Sequence, residues 1–199
     1  MQDGEIIEVV DEMKLLGIIV RNDLKWHSNT RNIISKCFAR MWLLRNLKKF
    51  GASEEQMLEV YLQQIRSVAE MACPVWNSGL TQYESRSLER VQRTAVAIMR
   101  GESHTNYQSA LDYFQIKTLQ DRREDICLKF AIKAYKHNKF SSWFTKNSNT
   151  VNTRSVQIPL MQLRARTKRY QKSPLPYLTD LLNTHLMTKQ NPIMQQDAH

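Results

Sequence analysis

The sequence predicts a mainly α fold: a bundle of helices with a short β-hairpin at its N-terminal end. Three observations lead there. Only five Gly and five Pro interrupt the 199 residues, so long helices meet few breakers. Two capping boxes, Ser53 with Gln56 and Thr81 with Glu84, stand ahead of apolar runs with a helical repeat. Strand-like, β-branched runs are confined to residues 5–20.

Taken in order, residues 5–10 (EIIEVV) and 14–20 (KLLGIIV) read as two short strands split by Asp11 and Glu12. A lone hairpin is marginal in water, so these strands are expected to pack on helices or to belong to a larger sheet. After a turn over Arg21–Lys25, Ser28 or Asn29 is placed to cap a helix running to about Phe50, with Gly51 as its stop. Its apolar spine is Ile33, Cys37, Met41 and Leu44, with Ile34 and Phe38 beside it. From Arg31 to Lys49 it carries Arg31, Lys36, Arg40, Arg45, Lys48 and Lys49 and no acid.

Behind Ser53, the residues Leu58, Tyr61, Leu62, Ile65, Val68, Ala69 and Ala72 fall on one arc, opposed by Glu59, Gln63, Arg66 and Glu70. Pro74 is expected to end that helix and to leave Pro74–Leu80 as a turn. Behind Thr81 a third helix runs to about Arg100, before Gly101. At about 100° per residue, Leu88, Val91, Ala95 and Ile98 share its inner face while Arg86, Arg90, Arg93 and Arg100 gather opposite.

A short helix over Ser109–Phe114 and a longer one from Thr118, capped with Asp121, to about His137 follow. The longer one has a wide apolar arc (Ile126, Cys127, Leu128, Phe130, Ala131, Ile132, Ala134, Tyr135) and a narrow basic edge that includes Lys129 and Lys133. Residues 145–153 are polar and unpatterned. Residues 164–172 set five cations (Arg164, Arg166, Lys168, Arg169, Lys172) around Tyr170, and a last helix is expected over Tyr177–Met187. The organisation expected is therefore strands over 1–26, a helical bundle over 27–144, a linker over 145–163, a basic tail with a short helix over 164–187, and frayed residues 188–199.

Composition limits function. Hydrophobic residues at 42% and charged ones at 24% are ordinary globular usage. The net charge is +10, and five of the 19 acids precede residue 13, leaving 29 cations against 14 acids beyond it. Such a chain is drawn to polyanions. Cys37, Cys73 and Cys127 are an odd number, widely spaced, which suits buried packing in a reducing compartment better than a disulfide framework. The longest apolar stretch, Leu15–Val20, is far short of a membrane span, and the acidic start is unlike a signal peptide.

Chemistry is hard to find. No Asp-Asp pair occurs, and Asp11-Glu12, Glu54-Glu55 and Glu124-Asp125 sit at a strand junction or in first helical turns, where they offset helix dipoles. The histidines are scattered singly, without zinc spacing. No phosphate-binding glycine loop or nucleophile motif is present. What remains is positive charge on helices with aromatics between: Trp42 beside Arg45 and Lys49, Tyr170 in its basic run, Trp26 next to Lys25. A solvated charged face is the plain reading of any one helix. Three separate helices of one sign favour phosphate neutralisation, with stacking as an addition.

Six short segments also occur in a recognisable order: Leu15-Leu16-Gly17-Ile18-Ile19, Asp23-Leu24-Lys25-Trp26, Cys73-Pro74-Val75-Trp76, Leu88-Glu89-Arg90-Val91-Gln92-Arg93, Arg122-Arg123-Glu124-Asp125 with Cys127-Leu128 and Phe130-Ala131, and Arg164-Ala165-Arg166 through Ser173-Pro174-Leu175-Pro176-Tyr177-Leu178-Thr179 to Leu181-Leu182-Asn183. In this the chain resembles the C-terminal portion of reverse transcriptases from jockey-like non-LTR retrotransposons, over Lys14–Asn183. One position departs from that pattern: Asn29 stands where the family often has His.

The resemblance implies a thumb-like helical bundle that grips the RNA/DNA template-primer duplex through its backbone. The hairpin would be left over from a palm sheet, with Leu15, Leu16 and Gly17 in a primer-grip-like role. It implies that the palm and fingers are the bundle's partners. The palm's Y-x-D-D turn and its Mg²⁺-binding aspartates are not in this sequence, so no catalytic residue, metal site or cofactor is expected in this chain. The nucleic-acid contacts expected are Arg40, Arg45, Lys48, Lys49, Arg86, Arg90, Arg93, Arg100, Lys129, Lys133, Arg164, Arg166, Lys168 and Arg169. The rival expectation is a non-catalytic helical module docking on an acidic protein, and the least favoured is an enzyme of unrecognised site. No membrane is expected as a partner, and the compartment expected is intracellular, nuclear or cytoplasmic, since 164–172 also has the composition of an import signal.

Overall fold

A computed structural model of the chain describes residues 9–101, 106–147 and 158–190. It is mainly helical, with a two-stranded antiparallel hairpin at the N-terminal end. The chain divides into two compact units, Met1–Met71 with Leu80–Leu119, and Ala72–Gly79 with Gln120–His199.

The first unit opens with β1 (Glu12–Leu15) and β2 (Ile18–Arg21), paired from Glu12 with Arg21 to Leu15 with Ile18. The apolar run 14–20 is thus two half-strands folded on Leu16-Gly17, and not one strand. Both turn residues have left-handed φ, +48° at Leu16 and +89° at Gly17, the backbone a two-residue hairpin needs to match strand twist. Residues 5–8 of the first predicted strand lie outside the described residues.

Helix α1 (His27–Lys49) starts one residue ahead of the predicted cap and has no side-chain cap. Ser28 and Asn29 lie inside its first turn and reach back to the hairpin: Ser28 Oγ donates to Glu12 Oε1 at 2.6 Å, and Ile19 N–H donates to Asn29 Oδ1 at 3.1 Å. Trp26 is buried, not a surface aromatic beside Lys25. The predicted spine Ile33, Cys37, Met41 and Leu44 is buried. Gly51, at φ +77°, ends the helix in a Schellman arrangement, with Gly51 N–H on Lys48 O and Ala52 N–H on Leu47 O.

Both capping boxes form as the sequence predicts, at Ser53 with Gln56 and at Thr81 with Glu84. The first opens α2 (Glu54–Val60), which continues through a π-helical segment, Tyr61–Arg66, into a short turn, α3 (Ser67–Glu70). The buried residues of this rod are Met57, Tyr61, Ile65 and Ala69, every fourth residue. A strict four-residue repeat outruns the 3.6-residue α-helix, and the wider π turn brings it back to one face.

Helix α5 (Gln82–Arg100) packs against α1, α2 and α6 (Tyr107–Tyr113). Leu88, Val91, Ala95, Val96 and Met99 form its inner face, while Ile98, predicted there, lies half-buried at its edge. Gln92 is also buried, and both ends of its amide are bonded: Oε1 accepts from Tyr61 Oη at 2.6 Å, and Nε2 donates to Tyr107 Oη and Lys117 O at 3.0 Å each. Tyr107 Oη donates in turn to Glu89 Oε1, which also accepts from Leu119 N–H at 3.1 Å.

In the second unit Pro74 does not stop a helix. It sits in the first turn of α4 (Cys73–Trp76), which follows the left-handed Ala72 (φ +51°) and suits the N-terminal tolerance of proline. Helix α7 begins at Leu119 in the first unit and runs to Lys136. Phe130, predicted on its apolar arc, is exposed. The stretch 145–163 is pinned at its described ends: Met161 N–H donates to Thr145 O at 2.8 Å, and buried Leu160 exchanges bonds with the Asn183 amide at 2.8 and 3.1 Å. The basic tail holds a short helix, α8 (Lys168–Gln171), and the last helix, α9 (Pro174–Gln190), is longer than predicted at both ends.

Candidate nucleic-acid interface

In the first unit the sequence motif Leu88–Arg93 separates cleanly into three jobs. Leu88 and Val91 fill the core, Glu89 and Gln92 enter the polar network, and Arg90 and Arg93 point outward. The outward arginines lie against aromatic rings. Arg90 sits over Phe38 of α1 at 5.9 Å, Arg93 over Tyr107 at 4.6 Å, and Arg100 over Tyr113 at 4.1 Å. Cation–π contact holds a guanidinium flat on a surface without consuming its N–H donors. With Arg86, Arg90 and Arg93 are exposed on the solvent side of α5.

Beside that row runs α1. Phe38 meets Arg90 and Lys48 meets Ile98, so both contacts advance toward the C-termini and the two helices are parallel. Near their ends an open groove of about 600 Å³ has Arg45, Lys48 and Lys49 on one wall and Thr94, Ala97, Ile98 and Gly101 on the other. Arg45 and Lys49 are exposed there, and Trp42, one turn earlier, is 56% exposed. Among the described residues no carboxylate lies within ion-pair distance of Arg45, Lys49, Arg86, Arg90 or Arg93.

Three of the sequence-predicted cations have local structural work. Arg40 Nη1 donates to Gln64 O in the π segment at 2.5 Å. Lys48 Nζ donates to Ile98 O at 2.6 Å, at the negative end of the α5 dipole. Arg100 lies 3.8 Å from Glu54 Oε2 as well as over Tyr113. Leu15, Leu16 and Gly17 form the hairpin tip, where Leu16 is 93% exposed. A side chain at Gly17 would meet the Met71 methyl at 3.3 Å.

The second unit carries its own cations: Lys129 and Lys133 on α7, Arg164 and Arg166 ahead of α8, and Lys168 and Arg169 within it, all exposed. Arg123 is instead fully buried, with Nε on Asn77 Oδ1 at 2.9 Å, while Asn77 Nδ2 donates to Tyr177 Oη at 3.2 Å. Cys73 Sγ donates to Arg123 O at 3.8 Å. The Cys73 thiol and, more weakly, the Arg123 charge pull Cys127 below the usual thiol range against the opposing effect of burial. In the first unit, burial pushes Cys37 up to about 12. All three cysteines are buried thiols outside any disulfide.

Among the described residues no three His, Cys, Asp or Glu side chains converge as metal ligands, and no helix is long and apolar enough to cross a membrane. Sequence reading missed the aromatic seats of the arginines. Tyr107 and Tyr113 are far from their guanidiniums along the chain and share no motif with them. It also missed Arg123, whose burial nothing in its charged surroundings Arg122–Asp125 signals. No protein-family model, curated protein or solved structure matches the chain.

Proposed function

We propose that this chain is a non-catalytic nucleic-acid-binding module, thumb-like in the sense of the jockey-like non-LTR reverse transcriptases it resembles, that holds a template-primer duplex by its phosphate backbone. In this reading polymerisation and its Mg²⁺ ions belong to a palm, and the palm and fingers are the module's protein partners. The observation that carries it is the pair of neighbouring cationic rows in the first unit, Arg86, Arg90 and Arg93 on α5 and Arg45 and Lys49 on α1, exposed and without carboxylate partners among the described residues. Cations held on rigid helices and aromatic seats lose little entropy when they meet phosphates. β1, which among the described residues pairs with β2 alone and so leaves its outer edge unpaired, supports the same reading, since such an edge suits a neighbouring sheet.

A salt titration of duplex binding tests this. Neutralising Z phosphates gives a slope of log affinity against log salt of about −0.9Z, so a steep slope is expected. Replacing Arg86, Arg90 and Arg93 by Gln should flatten it by about 2 to 3 and weaken all sequences alike. Salt-independent binding, or capture of an acidic protein that survives nuclease while nucleic acid is not bound, overturns the proposal.

A further inference from the structure

On the basis of that reading, we propose that Trp42 is a stacking platform for an unpaired base, so that the α1 face beside the cationic rows takes single-stranded nucleic acid. Trp42 is a large apolar side chain, more than half exposed, on a helix whose other side is anchored by buried Ile33, Cys37, Met41 and Leu44. It therefore does not serve the core. Its neighbours on the same face are Phe38 one turn before and Arg45 and Lys49 at three and seven residues after, on a helix with no acid from His27 to Lys49.

This spacing puts the two cations roughly 5 and 11 Å along the axis from the indole. A base lying on Trp42 would have its strand's backbone run over Arg45 and Lys49. Duplex bases cover one another's faces, so only an unpaired base can cover this ring broadside. Base on indole is the sequence-tolerant element of single-strand binding, and a cationic track is its complement. The groove beside Arg45, Lys48 and Lys49 leaves the track open to solvent.

The test uses the full chain with oligo(dT), oligo(U) and a closed-circular duplex, which has no ends for an indole to cap. Trp26 and Trp76 are buried while Trp42 and Trp143 are exposed, so stacking should appear as quenching of exposed tryptophan that the Trp42 variants assign to Trp42 rather than to Trp143. Trp42→Phe should remove most of that quench at saturation. Trp42→Ala should weaken both oligonucleotides about ten-fold and leave the circular duplex unchanged. Equal loss of oligo(dT) and oligo(U) marks shared base stacking, while loss of one alone assigns the platform to DNA or to RNA. Binding of duplex and oligonucleotides that ignores both Trp42 variants overturns the platform and leaves the phosphate-binding reading standing. Absence of any nucleic-acid binding by the unaltered chain overturns both. Unchanged far-UV circular dichroism and melting confirm that an exposed residue, and not the fold, was altered.

Discussion

The ammonium of Lys48, at the end of α1, donates to the carbonyl of Ile98, at the end of α5, over 2.6 Å. Because the two helices are parallel, their negative dipole ends lie side by side, an arrangement that costs energy unless a cation sits between them. Lys48 supplies it, and Gly101, left-handed at φ +77°, leaves the room: a Cβ there would collide with the Lys48 Nζ.

Lys48→Met should therefore cost about 0.5–1 kcal/mol of stability, read as a lower urea midpoint. It should lower duplex affinity less than Arg45→Gln does. An effect on affinity equal to that of Arg45 would show that Lys48 leaves the carbonyl to meet phosphate.

Gln92 is held by three groups, the Tyr61 and Tyr107 hydroxyls and the Lys117 carbonyl, and replacing it takes a partner from each. Gln92→Leu leaves the Tyr61 hydroxyl, the Tyr107 hydroxyl and the Lys117 carbonyl without this partner, for a cost of about 2–3 kcal/mol. Tyr61→Phe removes one donor and leaves Gln92 Oε1 unsatisfied, for about 1 kcal/mol or slightly more. Urea denaturation of both variants and the double variant measures the coupling. Simple additivity would dissolve the network.

The tyrosines set a high-pH limit. Burial raises Tyr61 and Tyr107 above the ordinary phenol value of 10.0, and in the second unit burial raises Tyr177 to about 12. A raised folded value means stability fully present below about pH 10 and lost as pH rises toward the folded values. Unfolding followed by circular dichroism should therefore begin above about pH 10, in step with the absorbance of these late-ionising phenolates. At the other end, Asp23 is drawn from 3.8 down to about 2, chiefly by the Lys25 N–H and then by Arg21. Its contribution is present above about pH 4 and is lost as pH falls through about 2, so Asp23→Asn should flatten the acid limb of the stability curve.

How much of this was legible follows from range. Caps and stops are local chemistry, and Ser53 with Gln56, Thr81 with Glu84, Gly51 and Gly101 could be read directly. The outward arginines of α5 followed from the helical period alone. Trp42 follows Met41, a spine residue, by one position, which turns it about 100° away from the core. By contrast, the hairpin tip hides because Leu16 is not a turn-former, and its left-handed backbone is imposed by strand pairing. Asn29 reads as a cap from sequence, yet the hairpin claims its oxygen. Gln92 and Arg123 are polar residues whose burial depends on partners far away in sequence, Tyr61 and Asn77.

The Asn29 bond also says which contact keeps the hairpin in place. A two-stranded sheet with an exposed β1 is not stable alone, so its docking through Asn29 Oδ1 to Ile19 N–H should govern its protection. Asn29→Ala is expected to speed amide exchange across residues 12–21 while α1 beyond its first turn stays protected. Uniform loss of protection throughout the first unit would mean that the hairpin is integral to its folding.

The π segment makes the sharpest prediction about sequence and register. Met57, Tyr61, Ile65 and Ala69 face the core at four-residue intervals only because Tyr61–Arg66 is wound wider than an α-helix. Deleting the exposed Gln63 turns those intervals into four, three and four, the spacing an ordinary α-helix places on one face. The chain should fold, the π turn should become α, and Arg40 should lose its present carbonyl partner. Deleting Thr94 from α5 is the counter-test. That helix is regular, so the deletion rotates Ala95, Val96 and Met99 about 100° out of the core, at about 1.5–3 kcal/mol for each large apolar side chain exposed. Cooperative melting retained for the Gln63 deletion and lost for the Thr94 deletion is the expected pair of results. The reverse pair would mean that the π turn is required by packing and is not merely the accommodation of one extra residue.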